Sequence, residues 1–291
     1  MTGTRDVMIA VKGLRSQFGD HVIHEDLNLT VERGEVLAVV GGSGTGKTVL
    51  LNTIIGLKQP EGGSVEMFGR DMAGLSEAEA ADVERRTGVL FQSGALFSSL
   101  TVLQNVAAPM IEHTRLPKAM IDEIAEMKIA MVGLKPEAHH LKPAELSGGM
   151  KQRVGIARAF SIEPKMLLLD EPFGALDALT RGSIQDELIG IVEATQQTVF
   201  MITHDVDEAI LLADRIVLMT NGPRAKIAEI VVNPLARPRV RETLHQQPAF
   251  YTLRNHLVDF LVKRSREFQP GPGWDAKNPP LVHPGQSSQP A

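Results

Sequence analysis

The sequence contains no cysteine. A disulfide framework and a thiolate metal site are therefore excluded, and the composition fits a reducing compartment. No apolar run approaches the roughly 18 residues needed to cross a bilayer. The longest runs, such as Val36–Val40 and Met166–Leu169, have the length of short strands. Met1–Asp6 is polar and lacks the apolar stretch of a secretory signal. A basic balance is missing too. The formal net charge is -5 and the isoelectric point is near 6.0, which leaves no electrostatic footprint for nucleic acid. The expectation is a soluble cytoplasmic protein with no nucleic-acid partner.

What is present is a chain of 291 residues, 43% of them hydrophobic, enough to pack one large domain or two modest ones. Short β-like runs alternate with helical patterns, which points to a parallel α/β sheet. Val36–Val40 precedes a glycine-rich stretch and a predicted helix from Thr48 to about Ile55. Met166–Leu169, bounded by Pro164 and Asp170, reads as a strand buried on both faces. Thr198–Thr203 is another strand.

Residues 93–146 read as helical. There Met120, Ile124, Met127, Met131 and Leu134 fall on one helix face, expected to pack against a core. Arg215–Thr220 and Lys226–Val232 flank the turn signal Asn221-Gly222-Pro223 and predict a hairpin. Thr252–Val262 is expected to be helical. From Gln269 the chain carries six prolines, including Pro279-Pro280, and is expected to be a disordered tail with Trp274 alone in it.

Gly41-Gly42-Ser43-Gly44-Thr45-Gly46-Lys47-Thr48, followed by Val49, matches the phosphate-binding pattern GxxxxGK[ST] between a strand and a helix. Glycines let the backbone wrap closely with its N–H groups aimed at phosphate oxygens, and the helix N-terminus favours an anion. Lys47 is expected on the β- and γ-phosphates of ATP, and the Thr48 hydroxyl on Mg²⁺.

Asp170 ends a buried strand and Glu171 follows it. An Asp-Glu pair after a strand is usually a solvated turn. In a chain that also carries a phosphate loop, the first carboxylate is suited to Mg²⁺ and the second to act as general base for water. In Leu146-Ser147-Gly148-Gly149-Met150-Lys151-Gln152-Arg153, Ser147 is a good N-cap, and the two glycines expose the first N–H groups of a helix running to about Ile162. That makes a second anion-binding surface.

These last residues match, in letter and order, the signature of ABC ATPases, and the resemblance extends over most of the chain. It implies a P-loop NTPase fold of the α/β class: a RecA-like core with a parallel sheet, an antiparallel β subdomain and an inserted helical subdomain at about 93–160. The nucleotide-binding domain would span 1–232, a helical extension 233–268 and the tail 269–291. Gln92 resembles the glutamine that senses Mg²⁺ and the attacking water. Ala175-Leu176-Asp177 resembles the D-loop, with Asp177 near nucleotide. His204 matches the switch histidine at the γ-phosphate, and Phe18 sits where an aromatic stacks on adenine.

The resemblance implies a head-to-tail dimer in which ATP on Lys47 and Thr48 of one copy is covered by Ser147, Gly148 and Gly149 of the other. It also implies a separate membrane permease and a peripheral place on the cytoplasmic face of the inner membrane. Rival classes fit less well. A P-loop kinase or GTPase has no use for Leu146–Gly149. A non-transport ABC ATPase of translation usually has twin ATPase domains, and one of repair a long coiled coil.

Two transporter classes compete. Val40–Thr48, Gly88–Thr101 and Glu112–Pro117 resemble ATPases of MCE-type phospholipid systems. Asp170–Arg181, Thr203–Ala209, Leu218–Pro223 and Ala236–Arg239 are similar to nitrate, sulfonate or taurine importer ATPases. Because a permease would dock near residues after Gln92, in the lipid-like half, the sequence leans towards lipid transport.

Overall fold

The computed structural model of the protein describes residues 6–174, 176–265, 268–271 and 273–285; the side chains of Ser93 and Arg264 are not among the described parts. In chain order the strands and α-helices are β1 (Val7–Phe18), β2 (His21–Glu32), β3 (Val36–Val40), α1 (Lys47–Ile54), β4 (Gly62–Met67), β5 (Arg70–Asp71), α2 (Glu77–Arg85), β6 (Thr87–Leu90), α3 (Val102–His113), α4 (Lys118–Met131), α5 (Gly148–Ala159), β7 (Met166–Asp170), α6 (Ala178–Thr195), β8 (Thr198–Thr203), α7 (Val206–Leu212), β9 (Arg215–Met219), β10 (Ile227–Val232), α8 (Arg241–Leu244), α9 (Pro248–Asp259) and β11 (Leu281–Val282). The chain divides into two compact units: Met1–Gly74 with Phe200–Ala291, and Leu75–Val199.

The first unit carries an antiparallel sheet in the order β2-β1-β4-β5. Alternation along β1 and β2 buries one face of each, with Ile9, Val11, Leu14, Leu27, Leu29 and Val31 in the core. The β1–β2 hairpin closes with Phe18 opposite His21. A second sheet places β3 parallel to β9 and β9 antiparallel to β10. All five residues of β3 are buried, as its unbroken apolar run requires. The predicted hairpin is therefore present.

The C-terminal part differs from expectation. The helix α9 starts at Pro248 and runs into a π-helical turn, Phe260–Arg264. The segment expected to be disordered is instead seated on the second sheet. Leu281–Val282 pairs parallel with Ile230–Val231, Ile230 N donates to Pro280 O at 2.9 Å, and Trp274 Nε1 donates to Ala228 O at 3.0 Å. Trp274 also meets the Phe268 ring edge-on at 5.5 Å and Lys226 Nζ at 5.7 Å. An edge strand that would have displayed unpaired N–H and C=O groups is thus covered by the chain's own residues. The rest of the predicted tail, Pro272 and 286–291, lies outside the described residues.

The second unit pairs β6 parallel with β7 and adds α2 to α6. Thr101 closes a reciprocal capping box with Gln104 at the start of α3. The methionine stripe of α4 is a correction. Its buried residues are Ile121, Ala125, Lys128 and Ile129, whereas Met120, Met127 and Met131 are exposed. Both sets have helical spacing, and the buried one is the row that α3 and α5 face.

Candidate functional site

The phosphate loop lies in the first unit between β3 and α1. Lys47 is buried and its ammonium donates to the carbonyls of Gly41 at 2.9 Å and Gly42 at 2.8 Å. The loop thus closes round its own cation, and phosphate oxygens would give that ammonium anionic partners instead. Thr45 Oγ1 donates to Gly42 O at 3.1 Å, which tightens the turn. Gly46 is the N-cap of α1 with φ 88°, a conformation that L side chains rarely adopt. Thr48, in the first turn of α1, is exposed.

Two neighbours of the loop escaped sequence reasoning. Asn221, part of the turn read only as a hairpin connection, aims Oδ1 at Gly42, where a Cβ would lie 2.9 Å from it. That oxygen is buried without a hydrogen-bond partner among the described residues. Lys58 holds its ammonium 4.9 Å from the centre of the Phe18 ring and donates to Glu61 Oε1 at 2.8 Å. Phe18 is 57% exposed at the hairpin tip, so this cation orients a ring that little else holds. His204 follows β8 and is exposed, next to Asp205, whose carboxylate caps α7.

The remaining predicted site residues lie in the second unit. Asp170 is buried at the end of β7. Glu171 follows with φ 45°, a left-handed backbone that a non-glycine residue adopts at a cost and that clusters at functional sites. Gln92 Nε2 donates to Glu171 Oε2 at 3.2 Å. The structure therefore joins two residues that the sequence separates by a long helical stretch.

Ser147 caps α5, its Oγ accepting from Met150 N at 3.2 Å. Ser147 and Gly148 are exposed and Gly149 is half-buried. A Cβ on Gly149 would lie 2.5 Å from Thr180 Cγ2, so only glycine lets α5 start this close to α6. Asp177 caps α6 through Thr180 N at 3.0 Å, and hydrogen bonds from Thr180 hold its carboxyl below the usual range. Ala175, in the predicted D-loop, lies outside the described residues.

The residues fit a nucleotide with its metal. The loop supplies a cradle lined by glycines and one buried ammonium. The Thr48 hydroxyl in the first unit and the Asp170 carboxylate in the second are each hard oxygen donors of the kind that Mg²⁺ takes. Among the described residues no cluster of three or more His, Asp or Glu could hold a metal by itself.

Comparison with known proteins agrees with this chemistry. Residues 24–174 match the ABC transporter family. The chain is 46% identical over 247 residues to the bicarbonate transport ATP-binding protein CmpD of Synechocystis, covering 84% of each. It is 44% identical to the nitrate import ATP-binding protein NrtD of Synechococcus elongatus over 84% of this chain and 87% of that one. Among solved structures it is similar to the dimeric ATP-binding cassette MJ0796 in a post-hydrolysis state with ADP and Pi. The TM-score is 0.68 and the identity 30%, over 76% of this chain and 98% of that one.

This chain belongs to the ABC transporter family and has the nucleotide-binding fold of its cassettes. It is an ATPase subunit that uses ATP and Mg²⁺, in a family whose cassettes dimerise and work with membrane permeases.

Proposed function

We propose that the protein powers an importer of a small inorganic anion, of the class that includes nitrate and bicarbonate. The single observation that carries this reading is the similarity to CmpD and NrtD, which covers 84% of the chain and so runs through both halves. It favours the importer over the phospholipid system towards which the first half leans, and the lipid reading is set aside.

One importer-like segment has a visible job. Arg237 holds Asp214 through Nε at 2.9 Å and Nη2 at 2.8 Å, and buried Arg239 donates to Ala213 O at 2.8 Å. This Ala236–Arg239 stretch fastens the C-terminal extension to the end of α7.

In the proposed cycle the loop Gly41–Val49 grips the phosphates, Lys47 neutralises the β- and γ-phosphates, and Phe18 supports the adenine. Thr48 and Asp170 would hold Mg²⁺, with Gln92 beside it, and the ion would supply charge neutralisation on the phosphates. Glu171 takes the proton of the attacking water and His204 contacts the γ-phosphate. Ser147, Gly148 and Gly149 of a second copy cover the nucleotide, with Asp177 beside it. The dimer works beneath a permease on the cytoplasmic face of the membrane; among the described residues no helix is long and apolar enough to span one.

The test is co-purification with candidate permeases followed by transport in vesicles. ATP-dependent uptake of nitrate or bicarbonate with a co-purifying importer permease is expected. Exclusive pairing with a phospholipid-system permease would overturn the assignment.

A further inference from the structure

Beneath the phosphate loop lies a polar pair that the reaction above does not use. Ser16 on β1 and His24 on β2 are register partners, both fully buried, and Ser16 Oγ lies 2.6 Å from His24 Nδ1. The other ring nitrogen, Nε2, is buried with no hydrogen-bond partner among the described residues. It faces Gly46: a Cβ there would lie 2.6 Å from Nε2 and 2.4 Å from Ile23 Cγ2. The phosphate loop thus rests directly on strand β2.

Burial pushes the His24 pKa down to about 4; the Gly46 backbone opposes that shift and the Lys58 charge adds to it. The ring is therefore neutral at physiological pH and carries one proton. The Gly46 backbone that this nitrogen faces offers one acceptor, its carbonyl, which also accepts from Leu50 N at 2.9 Å. Leaving Nε2 incompletely bonded costs stability that an apolar side chain of the same shape would not.

We propose that His24 is a positioning residue for nucleotide binding, with Ser16 donating to Nδ1 so that the proton on Nε2 is held against the Gly46 backbone. Holding the Gly46 backbone in this way orders the start of α1, whose first N–H groups are the ones suited to phosphate. His24 acts through Gly46 and touches no reacting atom. The inference rests on Gly41–Thr48 being the phosphate cradle.

The experiment measures ADP affinity of the full chain by calorimetry, with melting temperature alongside. His24→Leu fills the space without the polar contact. It should fold and bind ADP about tenfold more weakly, a loss of about 1.4 kcal/mol. His24→Gln, whose amide can reach Gly46, should stay within about threefold of the natural protein. KM for ATP should rise in step with the ADP affinity loss while kcat stays within about twofold, the pattern of lost ground-state binding.

Wild-type affinity in a folded His24→Leu, or equal loss in a folded His24→Gln, overturns the proposal. If both variants fail to fold, Ser16→Ala decides: weaker ADP binding supports the role and unchanged binding overturns it. A ¹⁵N spectrum placing the proton on Nδ1 overturns it as well. Lys47→Ala tests the underlying reading separately. Undiminished ADP binding there removes the cradle, whatever the His24 variants do.

Discussion

Gln92 Nε2 donates to Glu171 Oε2 across 3.2 Å, so the two side chains proposed to act on the attacking water share a hydrogen bond. That bond holds Glu171, on its left-handed backbone, in one orientation. Glu171→Gln should keep ATP binding but slow hydrolysis by about 10²–10⁴, the usual share of a general base. It should also accumulate a dimer on ATP. Single-turnover hydrolysis and size-exclusion chromatography check both, and near-normal turnover would remove Glu171 from the role.

Lys47→Ala should behave differently. The ammonium it removes is bonded to two loop carbonyls, and their loss opens the loop as well as deleting a charge. Nucleotide affinity should fall at least about tenfold, with each 1.4 kcal/mol counting as one decade. Direct titration with ADP measures this without depending on hydrolysis.

Phe18 and Lys58 form a pair whose members should fail unequally. Stacking of a base on an aromatic is worth about 1–3 kcal/mol, so Phe18→Ala should raise KM for ATP about 5- to 150-fold. Lys58→Ala removes only an exposed cation–π contact, about 0.5–1 kcal/mol, for an effect of about two- to fivefold. Competition between ATP and GTP tests whether the loss tracks the base. Equal losses for unsubstituted triphosphate would place both residues elsewhere.

The His24 pKa also sets a stability dependence on pH. The unfolded histidine takes up a proton near pH 6.5 and the folded one near pH 4. Between those values the unfolded state binds more protons, so stability falls as the solution is acidified, and the decline stops below about pH 4. The full span is about 3 kcal/mol. Chemical denaturation from pH 7 to pH 4 should show this slope, and His24→Leu should flatten it.

Deleting 268–291 should uncover β10 and the apolar surface under Trp274. A loss of about 2–4 kcal/mol is expected from the ladder and ring contacts removed, which lowers the melting temperature by several degrees. Trp274 is the single tryptophan of the chain, so its emission reports whether the segment is seated. A fully solvated spectrum at neutral pH would contradict the packing described.

The family was legible where it depends on residue type in a fixed local order. Gly41–Thr48 and Leu146–Gly149 each match a family pattern in letter and order, and residues 24–174 match the ABC transporter family. The strand ends at Asp170 and Thr203 were legible for a related reason, since buried parallel strands are unbroken apolar runs. Periodicity alone could not tell the Met120–Met131 row from the Ile121–Ile129 row, because both repeat at helical spacing and the choice lies with neighbouring helices. The tail was misread because composition is local, whereas Leu281 and Trp274 are ordered by β10, far away in sequence. Asn221 and Lys58 give no sequence signal at all; what matters is the backbone or ring each meets across the fold.

The C-terminal half of α5 is tied to β6 and to the turn after it with almost no slack. A Cβ on Gly88 would lie 2.4 Å from Ala159 O, and one on Gly155 would lie 2.6 Å from Leu90 Cδ1. Arg158, half-exposed with its charge disfavoured by burial, donates to Gly94 O at 2.7 Å and Ala95 O at 3.0 Å. Backbone this close leaves no room for sliding. Force applied near exposed Phe97 is then carried along the helix as by a rigid rod, and the serine at its far end travels with it.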